Sequence, residues 1–180
     1  MSTSRPASRE TRHEAALTPA LLREIGLFGA LSDEVLDHLV LSLKTVHVHA
    51  GDTVFREGDP AREMYVLLEG EMEVTKHSRR GHETRVAILG PLDTFGEMAL
   101  IDMQNRSATV RALAPSRILC VTAEDLNGLY RFDLKAYALI VLNIARDMSR
   151  RLRVTDGLLA DFAASVLDEW GATRSRQEPR

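Results

Sequence analysis

From Lys44 to Thr122 the apolar residues of this chain recur at every second position, in short runs closed off by glycine. That pattern restricts the fold more than any other feature. Alternate residues of a strand point to opposite faces, so a period of two marks a half-buried strand, and a turn former every few residues keeps each strand short. The runs fall at 45–49, 53–56, 64–68, 71–76, 84–89, 108–113 and 117–122. Between them stand Gly51-Asp52, Gly58-Asp59-Pro60, Glu69-Gly70, Gly81 and Gly90-Pro91. Glycine, aspartate and proline in such clusters each favour a reversal of the chain. Many short strands at regular spacing predict a sandwich or barrel of jelly-roll type.

Helical patterns flank this stretch. Thr18-Pro19 offers a capping hydroxyl followed by proline at the first helical position, and Leu21, Leu22, Ile25 and Phe28 supply an apolar face. Ser32 caps a second helix, with Asp33 and Glu34 in its first turn and Val35, Leu36, Leu39 and Val40 as its buried stripe. After Ala123-Glu124-Asp125-Leu126 the helical period returns. Residues 137–170 read as one long helix or as two helices broken near Gly157, which disfavours a helix interior by about 1 kcal/mol. Leu152, Thr155, Leu159, Phe162 and Val166 recur at three- and four-residue steps, a coiled-coil seam. A second copy of the chain is the commonest mate for such a seam; a helix folded back on its own sheet is the alternative. Residues 1–17 and 171–180 lack a periodic apolar face and read as mobile tails. The expected division is a strand-rich domain with N-terminal helices at 18–132, a long helix at 133–170, and the two tails.

Length and charge narrow the partners. At 180 residues the chain fits one domain with extensions. A net charge of −3 argues against strong nonspecific binding to nucleic acid. Cys120 is the single cysteine and lies in the apolar run Ile118-Leu119-Cys120-Val121, which suits an inert core thiol. No secretory leader and no apolar stretch long enough for a bilayer is visible, so a cytoplasmic protein without a membrane span is expected.

Chemistry concentrates in Phe95-Gly96-Glu97-Met98-Ala99-Leu100 and the following Arg106-Ser107-Ala108-Thr109. Gly96 lets a ligand approach the backbone where a Cβ would intrude. A helix beginning at Glu97 aims free N–H groups at an anion. Arg106 supplies a planar, permanently charged fork for phosphate oxygens. Glu97 accepts from a sugar hydroxyl and repels phosphate, so it should face a ribose. The competing reading is a hairpin loop with an incidental arginine.

This pair of segments resembles the phosphate-binding cassette of cyclic nucleotide-binding domains: Gly-Glu-x-Ala-Leu, five variable residues, then Arg, a small residue, Ala and Thr. The five here are Ile101-Asp102-Met103-Gln104-Asn105, with Asn105 where many members have proline. Ala50-Gly51-Asp52, Glu57-Gly58-Asp59 and Leu68-Glu69-Gly70 also resemble the family's pattern. The resemblance implies an eight-stranded β-roll with a long C-terminal helix. It implies that Arg106, Ser107 and the amides of Met98 and Ala99 bind a cyclic phosphate beside Gly96, that Glu97 holds the ribose 2′-hydroxyl, and that Val86 and Leu89 line the base. Met148-Ser149-Arg150-Arg151-Leu152-Arg153-Val154-Thr155 is similar to the dimer helix of bacterial catabolite activator proteins. That likeness places Arg151 near the ribose-binding carboxylate and Thr155 over the base, with Asp156 where a serine reaches the partner's ligand. The ligand implied is cyclic AMP or cyclic GMP, with no cofactor.

Two other functions compete. One is a scaffold on the same fold that binds no nucleotide. The other is a metal-dependent jelly-roll enzyme of cupin type, suggested by His47-Val48-His49. The cupin glutamate and later histidine are missing at the required spacing, so no metal site is expected. Arg150, Arg151 and Arg153 are interleaved with Asp147 and Asp156 and read as a solvated helix face. No local signature of a nucleophile or triad is present, and no catalytic residues are assigned. The expected protein is a sensor: a homodimer through its long helix, a downstream protein partner of unspecified identity, and no autonomous sequence-specific DNA binding, for which the chain shows no reading helix.

Overall fold

The computed structural model describes residues 16–175. Two antiparallel four-stranded sheets face one another. The first has the order β1–β8–β3–β6, formed by Lys44–Val48, Ser116–Thr122, Glu63–Glu69 and Thr94–Phe95. The second has the order β2–β7–β4–β5, formed by Thr53–Phe55, Thr109–Ala112, Met72–His77 and Glu83–Leu89. This is the expected eight-stranded β-roll. The seven runs legible in the sequence are seven of its strands. The eighth, β6, has only two residues, too few to carry a period.

Helices close the first sheet. α1 (Pro19–Glu24) is capped by the Thr18 hydroxyl, which accepts from the Leu21 amide. α2 (Asp33–Ser42) is capped likewise by Ser32. α4 (Ala123–Phe132) begins with a reciprocal capping box between Thr122 and Asp125. The first two are the caps that the sequence announces; Thr122 is read there only as the end of a strand. α3 (Met98–Asp102) sits between β6 and β7. α5 (Leu134–Ser175) is a single helix through Gly157, where an added Cβ would meet nothing within 4 Å, so the two-helix alternative does not hold. It also runs five residues beyond the expected end at 170, into the expected tail. The tail readings for 1–15 and 176–180 lie outside the described residues.

The strands divide the interior into two cores. Met64, Val66 and Leu68 of β3, with Leu119 and Val121 of β8, face the helices and pack with Leu22, Phe28, Leu36 and Leu129. Leu67 of β3 and Ile118 of β8 point the other way, into the space between the sheets, with Met72, Leu89, Phe95 and Val110. A strand buried on both faces reads as a continuous apolar run, which is why 64–68 hardly alternates. The first three turns of α5 belong to the helical core through Ala136, Ile140 and Ile144, at i, i+4 and i+8. Beyond Arg151 the same helix leaves the roll. Leu152, Leu159 and Phe162 are 61%, 63% and 67% exposed.

Candidate functional site

A cavity of about 170 Å³ opens between the sheets beside α3. Leu89, Gly96, Glu97, Met98, Ala99, Arg106, Ser107 and Arg151 line it, so eight of the ten residues expected at the site converge. Their positions follow from local structure. Gly96 has φ +77°, a left-handed conformation, and turns the chain from β6 into α3. In a helix this short the amides of Met98 and Ala99 have no carbonyl one turn back, so they remain available beside the cavity. The Ser107 hydroxyl lies 3.5 Å from the Met98 sulfur, across the mouth of the cassette.

Arg106 is 3% exposed, an unusual place for a guanidinium, and its surroundings account for it. Nη1 donates to the Glu63 carbonyl at 2.7 Å and to the Gly96 carbonyl at 3.1 Å. Nη2 donates to the Glu63 carboxylate at 2.8 Å. The flat face of the guanidinium lies 4.0 Å from the centre of the Phe55 ring. Phe55 stacks in turn with Tyr65 and Phe95. Nε is buried without any partner, the one such side-chain atom among the described residues. A buried charged donor left unpaired is disfavoured by about 1–3 kcal/mol, more for a charged group. The anion-binding residues therefore fit an anionic group: they already hold an unmet donor for it.

Glu97 is also buried, and burial pushes its carboxyl above the usual carboxylate range, partly opposed by Arg151. Arg151 reaches across from α5. It approaches Glu97 at 3.4 Å, donates to the Thr94 hydroxyl at 3.1 Å, and pairs with Asp147 at 2.9 Å. Asp147 in turn accepts from the Thr94 hydroxyl at 3.1 Å. This cluster ties the long helix to the β6–α3 turn.

Two expected residues are not at the cavity. Val86 is 58% exposed on the outer face of β5, and Ala87 lines the cavity instead. The cause is strand alternation: Leu89 and Ala87, two residues apart, share the inward face, and Val86 points outward, skipped in the pairing with β4 between Ala87 and Arg85. Thr155 stands one turn beyond Arg151, exposed, its hydroxyl donating to the Arg151 carbonyl at 3.0 Å. The sequence reading missed Glu63, the Phe55–Tyr65–Phe95 cluster, Thr94 and Asp147. Glu63 precedes an apolar strand and looks like a solvated terminus; only the distant pairing of β3 with β6 brings it to Arg106. Cys120 is half-buried, and burial pushes its thiol up, consistent with an unreactive position. Among the described residues no three histidine, cysteine or carboxylate side chains gather as a metal site, and no helix is long and apolar enough to cross a membrane.

The cyclic nucleotide-binding domain family matches residues 45–132, which include every strand of the roll and the whole cassette. A solved N-terminal domain of a transcriptional regulator from Streptomyces coelicolor is 32% identical, with a TM-score of 0.65, over 74% of this chain and 93% of that one. The chain belongs to the cyclic nucleotide-binding domain family. Among full-length relatives, a CRP-like cAMP-activated global transcriptional regulator of Mycobacterium tuberculosis is 28% identical over 79% of this chain and 62% of its own length. A cyclic AMP receptor protein of Thermus thermophilus is 31% identical over 72% of this chain and 58% of its own. The chain thus spans about three fifths of the length of these curated relatives. The cavity of this member sets donors and a carboxylate around an apolar floor.

Two outcomes follow from this geometry. A Cβ at Gly96 would lie 2.6 Å from Arg106 Nη1 and 3.3 Å from the Phe55 ring, on a backbone that already favours glycine. Gly96→Ala should displace Arg106 and destabilise the protein by about 1–3 kcal/mol, measured by urea unfolding. Second, the folded protein binds the Glu97 proton more tightly than the unfolded chain does. The stability linked to Glu97 is therefore full below the ordinary value of 4.5 and falls as pH rises through the raised value. Wild type should lose stability relative to Glu97→Gln between pH 4.5 and pH 7, measured by unfolding both proteins across that range.

Proposed function

We propose that this protein is a sensor that binds a cyclic nucleotide, cyclic AMP or cyclic GMP, in this cavity and passes its occupancy to α5. The observation that carries the reading is the unpartnered, buried Nε of Arg106, set beside the free amides at the start of α3. Arg106, Ser107 and the amides of Met98 and Ala99 would hold the cyclic phosphate. Glu97 would accept from the ribose 2′-hydroxyl. Leu89, with Ala87 in place of Val86, would face the base. Regulators with cAMP in their names among the relatives support cyclic AMP over other anions.

Signal transfer follows from the Arg151 cluster. Glu97 has acceptor sites for both a ribose hydroxyl and the Arg151 guanidinium, and at 3.4 Å the present contact to Arg151 is loose. A ligand that draws Glu97 and Arg151 together favours one position of the helix over another, and it can shift that equilibrium only by its difference in affinity for the two. Thr155, one turn further, would close over the base in the liganded position.

The test is calorimetry with cyclic AMP and cyclic GMP in competition. Arg106→Ala should weaken binding by about two to four decades, because it removes the counter-charge of a shielded phosphate. Unchanged affinity would refute the assignment.

The exposed stripe of α5 supports a homodimer. Leu152, Leu159 and Phe162 together form an apolar surface that a monomer would leave in water. A parallel pairing would set the two Thr155 side chains near each other and near both ligands. Leu159→Asp should give monomers and also weaken nucleotide binding, by sedimentation and calorimetry on the same samples. A wild type that sediments as a monomer at tens of micromolar with ligand present would exclude this pairing.

A further inference from the structure

Glu63 keeps Arg106 in place, and its carboxylate shares Nη2 of that arginine with the proposed phosphate site. Its backbone carbonyl and its Oε1 together occupy Nη1 and Nη2, the terminal edge of the guanidinium. The Gly96 carbonyl takes the second Nη1 hydrogen. What remains is Nε–H with the second Nη2–H, a side-on fork for two oxygens. Glu63 is itself oriented by the Tyr65 hydroxyl, which donates to the same Oε1 at 3.2 Å. It is two-thirds shielded from water.

The charges around the cavity are unevenly balanced. Arg106 and Arg151 are positive; Glu63, Glu97 and Asp147 are negative and directly paired with them. Two cations against three carboxylates leave one net negative charge, which disfavours every further negative charge on a ligand. A dianion feels each carboxylate twice as strongly as a monoanion at the same place. It also feels each arginine twice as strongly, so the sign of the difference is set by the net charge of these five groups, one negative.

We infer that Glu63 is a positioning and specificity-determining residue: it presents the Nε edge of Arg106 and selects a singly charged phosphodiester over a doubly charged phosphomonoester. The inference rests on the cyclic nucleotide reading of the cavity. It adds that discrimination against the linear nucleotide is electrostatic and comes from a strand-start carboxylate outside the cassette.

The experiment compares cyclic AMP with adenosine 5′-monophosphate at pH 8, where the monoester carries close to two charges. Calorimetry is run on wild type, Glu63→Gln and Glu63→Ala, with thermal unfolding of each to verify the fold. Glu63→Gln retains an acceptor for Nη2 and removes the charge. The preference for cyclic AMP should fall at least about tenfold in this variant, chiefly through tighter binding of the monophosphate, since one unit charge a few ångströms away acts on the two ligands unequally. Glu63→Ala also removes the acceptor, so it should lose affinity for cyclic AMP as Arg106 swings from its seat. A preference that changes less than threefold in Glu63→Gln, with wild type binding cyclic AMP, overturns the charge-selection role alone. A wild type that binds neither nucleotide overturns the cyclic nucleotide reading and this inference with it.

Discussion

A guanidinium buried to within a few per cent of full shielding sets the terms for the rest of this molecule. An isolated charge in a protein interior is strongly disfavoured, so it persists only where partners surround it. Arg106 obtains them from three distant places in the sequence. Glu63 comes from β3, the Gly96 carbonyl from the turn after β6, Phe55 from β2, and the arginine itself precedes β7. Those strands lie in both sheets. The closure of the two sheets and the seating of the arginine are therefore one event. The glycine at 96 is part of it, because any side chain there would overlap the guanidinium.

The same economy extends to the long helix. Its first turns are core, fastened by Ala136, Ile140 and Ile144, and Asn143 donates to the carbonyls of Leu27 and Gly29 at 3.1 Å each. Its middle carries Arg151 and Asp147 to the cassette. Its far half presents apolar residues to solvent. One rigid element thus runs from the hydrophobic core past the binding cavity to an unpartnered surface.

Much of this was legible beforehand, and the reasons are local. A period of two with glycine corners requires short strands, so seven of eight were visible. Hydroxyls before Pro19 and Asp33 announce helix starts through bonds made within four residues. The cassette was legible because its groups are close in sequence: Gly96, Glu97 and the amides behind them share one turn, and Arg106 returns nine residues after Glu97. The apolar stripe on α5 was likewise a matter of spacing along one helix.

What escaped the sequence depends on pairing between distant segments. One such feature is the bulge opposite Val74 and Thr75, where Val86 is skipped in the pairing with β4. Nothing in residues 83–89 records that bulge. Strand β6 has two residues and exists because Tyr65 and Val66 of β3 pair with it. Glu63 looks like a surface carboxylate until β3 is laid beside the cassette. The sequence by itself therefore determined the elements and the chemistry of the binding turn, because those rest on contacts within a few residues. The tertiary structure alone decided which partner holds Arg106 and which edge of it stays free. Those depend on strand register, and register is a property of two chain segments together.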